Sequence, residues 1–175
     1  MATIKYRDEK DKSYGLAGMA ISMAIWDGDE LIDAIDIDAE PGEAVEFTPD
    51  FYFSGNPRVS ARSAWNMILK HFQLASGMMI ANVMCRSYVN DNAASIDRQL
   101  KDLMRKMVRD EAREECQLDD DEADMVFDKS FNYLDRVFTH HTVRAVADDF
   151  ATSIRDRRRM THAEIAEALR MLAML

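Results

Sequence analysis

The chain has 175 residues, 47% hydrophobic and 31% charged, enough apolar material to bury a core and too much for a disordered segment. With 32 Asp and Glu against 22 Lys and Arg its formal net charge is -10. A general nucleic-acid binder is disfavoured, because phosphate contacts need a surplus of bases.

The average hides a division near residue 57. Residues 1–57 hold all 3 prolines, 5 of the 6 glycines, and 13 acids against 4 bases, whereas residues 58–175 carry 19 acids and 18 bases. One domain in two parts is expected, an acidic β-rich part over 1–57 and a helical bundle over 58–175.

Lys5, Arg7, Lys10 and Lys12 precede an apolar run from Tyr14 to Trp26, an arrangement that invites comparison with a secretory leader. Asp8, Glu9 and Asp11 cancel that positive charge and argue against one. Cys85 and Cys116 are isolated, with no metal-type spacing, so a reducing, cytoplasmic setting is expected.

Within the acidic part, Ile21, Met23 and Ile25 alternate with Ala20, Ser22 and Ala24, Asp27-Gly28 offers a tight turn, and Ile35 to Asp38 alternates again. This pattern predicts a β-hairpin. Val45 with Phe47, and Phe51 with Phe53, suggest further short strands separated by Pro41-Gly42 and Pro49. A helix over Asp29 to Asp38 is the competing reading, since Leu31, Ile32 and Ile35 also share a helical face.

Residues 58–175 contain no proline, and their apolar residues recur at spacings of three and four, which predicts helices throughout. The first starts near Pro57 to Ser60 and is apolar on most sides, so it should be central. Its run from His71 to Cys85 is shorter than the roughly 20 residues of a membrane span. On this helix Trp65, Phe72, Met78, Met79 and Met84 read as core.

After a turn at Asn90 to Asn92 an amphipathic helix follows, with Ile96, Leu100, Leu103 and Met107 on its stripe and Met104 and Val108 widening it. It ends near Cys116. Asp119 and Glu122 have the spacing of a capping box. The next stripe, Phe127, Phe131, Leu134 and Phe138, loses phase before Val143, which places a break at Thr139 to Thr142. Thr161 and Glu164 cap a final helix. The expected fold is α+β and predominantly α, an N-terminal β-hairpin or short meander packed on a bundle of four or five helices.

Chemical signatures are sparse. Glycine-rich phosphate loops, a nucleophile elbow and the zinc-protease motif are absent. Asp36, Asp38 and Glu40 copy the opening of a calcium loop, but Pro41 and Phe47 occupy its diagnostic Gly and Glu positions. His140, His141, Asp148 and Asp149 gather imidazoles and carboxylates without the Glu-x-x-His pairs of a di-iron bundle. The basic run Arg155, Arg157, Arg158 and Arg159 suits a helix C-terminal turn. No cofactor or metal is implied, and no catalytic residue can be named.

The strongest remaining feature is the stretch from Ser13 to Pro57, which holds 10 acids and no Lys or Arg. Asp33, Asp36, Asp38 and Glu40 are the candidate partner-binding residues, because carboxylates on one sheet face attract a basic protein surface. The expectation is a cytoplasmic interaction or regulatory protein without enzymatic activity, binding neither nucleic acid nor membrane, with self-association left open. The alternative is a helical-bundle enzyme, or a ligand or metal carrier, with a pocket between the methionine-rich helix and His140-His141.

Overall fold

The computed structural model describes residues 4–52 and 61–174. Its first element is a helix, α1 (Glu9–Ile25), which Asp8 caps by accepting a hydrogen bond from the Asp11 amide at 2.7 Å. The strand expected over residues 20–25 is therefore the end of a helix. Ala20, Ser22 and Ala24 are small and not charged, so the alternation was one of size, with no face marked for water. Winding the segment into a helix satisfies its backbone while burying residues from Ser13 to Ala20 with the sole exception of half-buried Met19.

Small residues let α1 lie close against α2 (Ala61–Cys85). A Cβ on Gly18 would stand 2.3 Å from the Ala81 carbonyl oxygen, and one on Gly77 1.9 Å from the Trp26 ring. The turn expected at Asp27-Gly28 is present, with Asp27 as its left-handed residue at φ 53°. A single 3₁₀ turn, Asp29–Leu31, leads into the sheet.

The sheet has the order β2-β1-β3, formed by β1 (Ile32–Asp36), β2 (Val45–Phe47) and β3 (Arg159–Thr161), all antiparallel. Ile35 stands opposite Val45 on one side and Met160 on the other, and all three are buried. An irregularity between Ile32 and Ala34 leaves Asp33 exposed and allows Ile32 and Ile35, three apart, both to reach the core. From Ile35 to Asp38 the expected alternation holds: Ile35 and Ile37 are buried, Asp36 is half-buried and Asp38 exposed. Phe51 closes a 3₁₀ turn, Pro49–Phe51, in place of the expected strand; Phe53 lies outside the described residues.

The expected start of α2 near Pro57 to Ser60 also lies outside them. From Cys85 the helix continues as a π turn, Arg86–Asn90, followed by Asn92 at φ 52° where the chain turns. Four helices follow, α3 (Arg98–Cys116), α4 (Asp120–Thr139), α5 (His141–Arg157) and α6 (His162–Leu169). Both capping boxes form, Asp119 with Glu122 and Thr161 with Glu164, and the helix breaks at His140 as the phase slip required. Among the described residues, six α-helices and one small sheet make the fold α+β and predominantly α. Both α1 and α2 are central: α1 packs on α2 and α5, and α2 on α1, α3 and α4. Among the described residues, no helix is long and apolar enough to cross a membrane.

The first turn of α1 and the segment before it are tied to the bundle around a buried ion pair. Arg86 and Asp11 are both fully buried and 2.6 Å apart, and Arg86 also donates to the Lys5 carbonyl at 2.8 Å. Its guanidinium lies 5.0 Å from the centre of the Tyr6 ring. Asp11 accepts in addition from the Arg7 side chain at 2.7 Å and the Arg7 amide at 3.0 Å. Burial raises the Asp11 pKa, but the hydrogen bonds from Arg86 and Arg7 outweigh it and hold the carboxyl well below the usual aspartate range.

The antiparallel pair α3 and α4 is laced by a ladder repeating every fourth residue. Arg105 meets Asp128 at 2.6 Å, Arg109 meets Asp124 at 2.6 Å, and Arg113 meets Asp120 at 2.7 Å. Because these pairs run from half-buried to exposed, they set register more than stability. Arg105→Gln should lower the melting temperature by a few degrees at most, and molar salt should shrink the difference in calorimetry.

Candidate functional site

The four predicted acids do not form a free cluster. Asp36 lies 3.5 Å from Arg159, and the Asp38 carboxylate accepts from Arg158 in a contact that holds its pKa below the ordinary range. Arg158 also reaches Glu9 at 2.8 Å, and Arg159 donates to Glu46, again at 2.8 Å. Asp33 and Glu40 are exposed and have no ion pair among the described residues.

The basic run divides accordingly. Arg155 and Arg157 lie in the last turn of α5 as expected; Arg158 follows at φ 64°, and Arg159 opens β3. Both of these last two are turned onto the acidic N-terminal part.

His140 and His141 are exposed at the α4–α5 junction with their rings stacked 4.8 Å apart. Asp148 is engaged by the Tyr14 hydroxyl, whose pKa burial and Asp148 push up to about 12, while Asp149 is exposed. Among the described residues no group of three or more His, Cys, Asp and Glu could hold a metal ion. His140 lines a cavity of about 570 Å³ with Ile25, Tyr133 and Val143, away from the methionines of α2. The single pocket envisaged between those methionines and His140-His141 is thus two separate features.

The methionines open elsewhere. On α3 the buried stripe is Leu100, Met104, Val108, Ala112 and Cys116, at constant spacing four, so Leu103 and Met107, expected on that stripe, stand at its edge, 45% and 36% exposed. Continuing from Met107 by helical steps come Glu111, Glu114 and Glu115. This edge faces α2 across a groove of about 720 Å³ floored by Ile68, Phe72, Met79 and Met107 and rimmed by the carboxylates. A second hollow of about 860 Å³ shares His71, Met79 and Met107 with it and extends the apolar floor to Met19, Met78 and Phe47.

One wall of the groove is built from packed rings. His71 Nδ1 lies 3.0 Å from the Phe51 carbonyl oxygen, the His71 ring is 4.5 Å from the Phe51 ring, and Phe51 stacks on Phe47 at 4.0 Å. Tyr52 beside them is 60% exposed. Trp65, expected as a packing anchor, is 43% exposed near the start of α2, whereas Phe72 is buried as expected.

Charge is sorted around α3. Arg105, Arg109 and Arg113 are spent on α4, Lys101 sits 4.0 Å over the Phe131 ring, and Lys106 holds Asp110. Glu111, Glu114 and Glu115 have no ion pair among the described residues. Burial, aided by the charge of Glu115, pushes the Glu111 carboxyl up, and His71 pulls it the other way. Carboxylates over a thioether-lined floor favour cations together with apolar side chains, the floor adapting to their shape. The sequence signal for this site was an apolar stripe on α3 wider than its core contact needs.

No protein family, curated protein or solved structure was found to match this chain. The fold defines it by architecture alone, as a mostly helical α+β protein.

Proposed function

We propose that this protein is a non-enzymatic interaction module that holds a basic segment of a partner protein in the groove between α2 and α3. The observation that supports this reading is the sorting of charge on α3: three of its four arginines, Arg105, Arg109 and Arg113, are consumed by α4 and Arg98 meets Asp102 on its own helix, while Glu111, Glu114 and Glu115 line the open groove. Carboxylates that have no ion pair among the described residues, set beside apolar surface, reward a partner carrying the opposite charge. The basic partner expected from composition is retained. Its docking place moves to α3, because Asp36 and Asp38, two of the four candidate acids, already hold arginines.

The test is capture of partners from the source cell with mass-spectrometric identification, followed by titration of the purified partner. Binding should weaken steeply as salt rises, and Glu111→Gln with Glu114→Gln and Glu115→Gln should reproduce the high-salt affinity at low salt. Equal affinity for the triple variant and the native protein would overturn the reading.

A further inference from the structure

The two hollows that meet at Met79 and Met107 differ in character. One is rimmed by carboxylates; the other is mainly apolar, with Met19, Met78 and Phe47 on its floor and Lys5 and Asn82 also in its lining. Because Met79, Met107 and His71 line both, a ligand running along the groove passes from a charged rim to an apolar floor. Simple charge attraction uses only the first half. An extended lysine-rich segment would leave the methionines facing water, whereas a helix with one apolar and one basic face covers both.

We propose that the occupant is an amphipathic basic helix of a partner protein, its bases over Glu111, Glu114 and Glu115 and one bulky apolar side chain anchored among Met78, Met79 and Met107. This rests on the reading of the groove as the docking site for a basic partner, and adds that apolar anchoring decides which basic segments bind. Thioethers suit such an anchor, since unbranched side chains repack around leucine, phenylalanine or tryptophan at little cost.

The experiment uses the full chain and three labelled synthetic peptides of about 18 residues, five helical turns. The first is a Lys/Leu peptide patterned as an amphipathic helix with one Trp on its apolar face. The second is its scrambled isomer, and the third a Lys/Ser peptide of equal charge. By fluorescence anisotropy the amphipathic peptide should bind about tenfold to a hundredfold tighter than its isomer, the gain from burying one large apolar side chain. Met107→Ser, at a partly exposed position, should remove most of that preference while circular dichroism stays unchanged, and Met79→Ala serves as a second variant.

If both Lys/Leu isomers and the Lys/Ser peptide bind equally and the triple Glu→Gln variant loses all three, the basic-partner reading stands and the anchor is refuted. If no peptide binds at low salt, both fall. A preference that survives Met107→Ser places binding elsewhere and overturns the proposal. So does a dimer in sedimentation that Met107→Ser dissociates, because a second copy then fills the groove.

Discussion

Replacing Asp11 by Asn is expected to lower the unfolding free energy by about 3–5 kcal/mol, the typical cost of removing one partner from a buried ion pair. Arg86 is fully buried, and its other hydrogen-bond acceptors are the Lys5 and Ile4 carbonyls and the Asn82 side chain, none of them charged. The variant leaves a guanidinium in the core with no counter-charge. That loss is a large fraction of the roughly 5–15 kcal/mol that holds a domain of this kind together.

Two further measurements separate the ion pair from general damage. Asp11→Leu combined with Arg86→Met should recover much of the stability, since a buried pair replaced by apolar side chains of similar volume is often neutral or better. The second is pH. The folded Asp11 carboxyl binds its proton more weakly than the unfolded chain does, so acid favours unfolding. Its contribution is complete above the unfolded aspartate value of about 3.9 and is lost as pH falls below it toward the folded value. In urea titrations the gap between native protein and Asp11→Asn should be wide at neutral pH and narrow in acid; a gap independent of pH would exclude the pair as its source.

The second large effect is expected at Gly18. A methyl group there meets the Ala81 carbonyl oxygen at 2.3 Å and the Cys85 Cβ at 2.7 Å. The first of these is backbone, so neither helix can yield by turning a side chain, and α1 and α2 must move apart. Gly18→Ala should therefore destabilise by about 1–3 kcal/mol, the range for overpacked cores, against the roughly 1 kcal/mol by which alanine normally favours a helix over glycine. Gly42→Ala is the control. Nothing lies within 4 Å of a Cβ at Gly42, so its unfolding midpoint should stay unchanged or rise slightly. Equal behaviour of the two variants in chemical denaturation would show that α1 and α2 are not in close contact at Gly18.

The same contact explains a place where sequence reasoning erred. Gly15 and Gly18 precede a segment in which the small residues Ala20, Ser22 and Ala24 alternate with Ile21, Met23 and Ile25 in the manner of a strand. Their smallness serves the approach of α2, a helix some sixty residues later, and no local pattern carries that information. Leu103 and Met107 raise a similar difficulty. A helical period assigns both to an apolar stripe, but only the position of α2 decides that Met104 and Val108 are the core and that Met107 is left at a groove.

What the sequence determined by itself was whatever depends on neighbours a few residues away. The capping boxes at Asp119 and Thr161, the break at His140, the turn at Asn90 to Asn92 and the buried Ile35 and Ile37 all follow from backbone hydrogen bonding and periodicity within one element. Tertiary structure alone decided the rest, including β3, three residues long and without a strand pattern, whose partner β1 lies over a hundred residues earlier. It also decided the fate of the charge. Read along the chain, residues 1–57 are an acidic appendage and Arg155 to Arg159 a separate basic run; in the fold Arg158 and Arg159 answer Glu9, Asp36, Asp38 and Glu46. Among the described residues, Glu111, Glu114 and Glu115, on a helix of nearly balanced charge, are the acids without ion pairs that line the groove beside α2. Opposite charges distant in sequence attract only after the core has brought them within a few ångströms, so the surface a partner meets is decided by packing and not by composition.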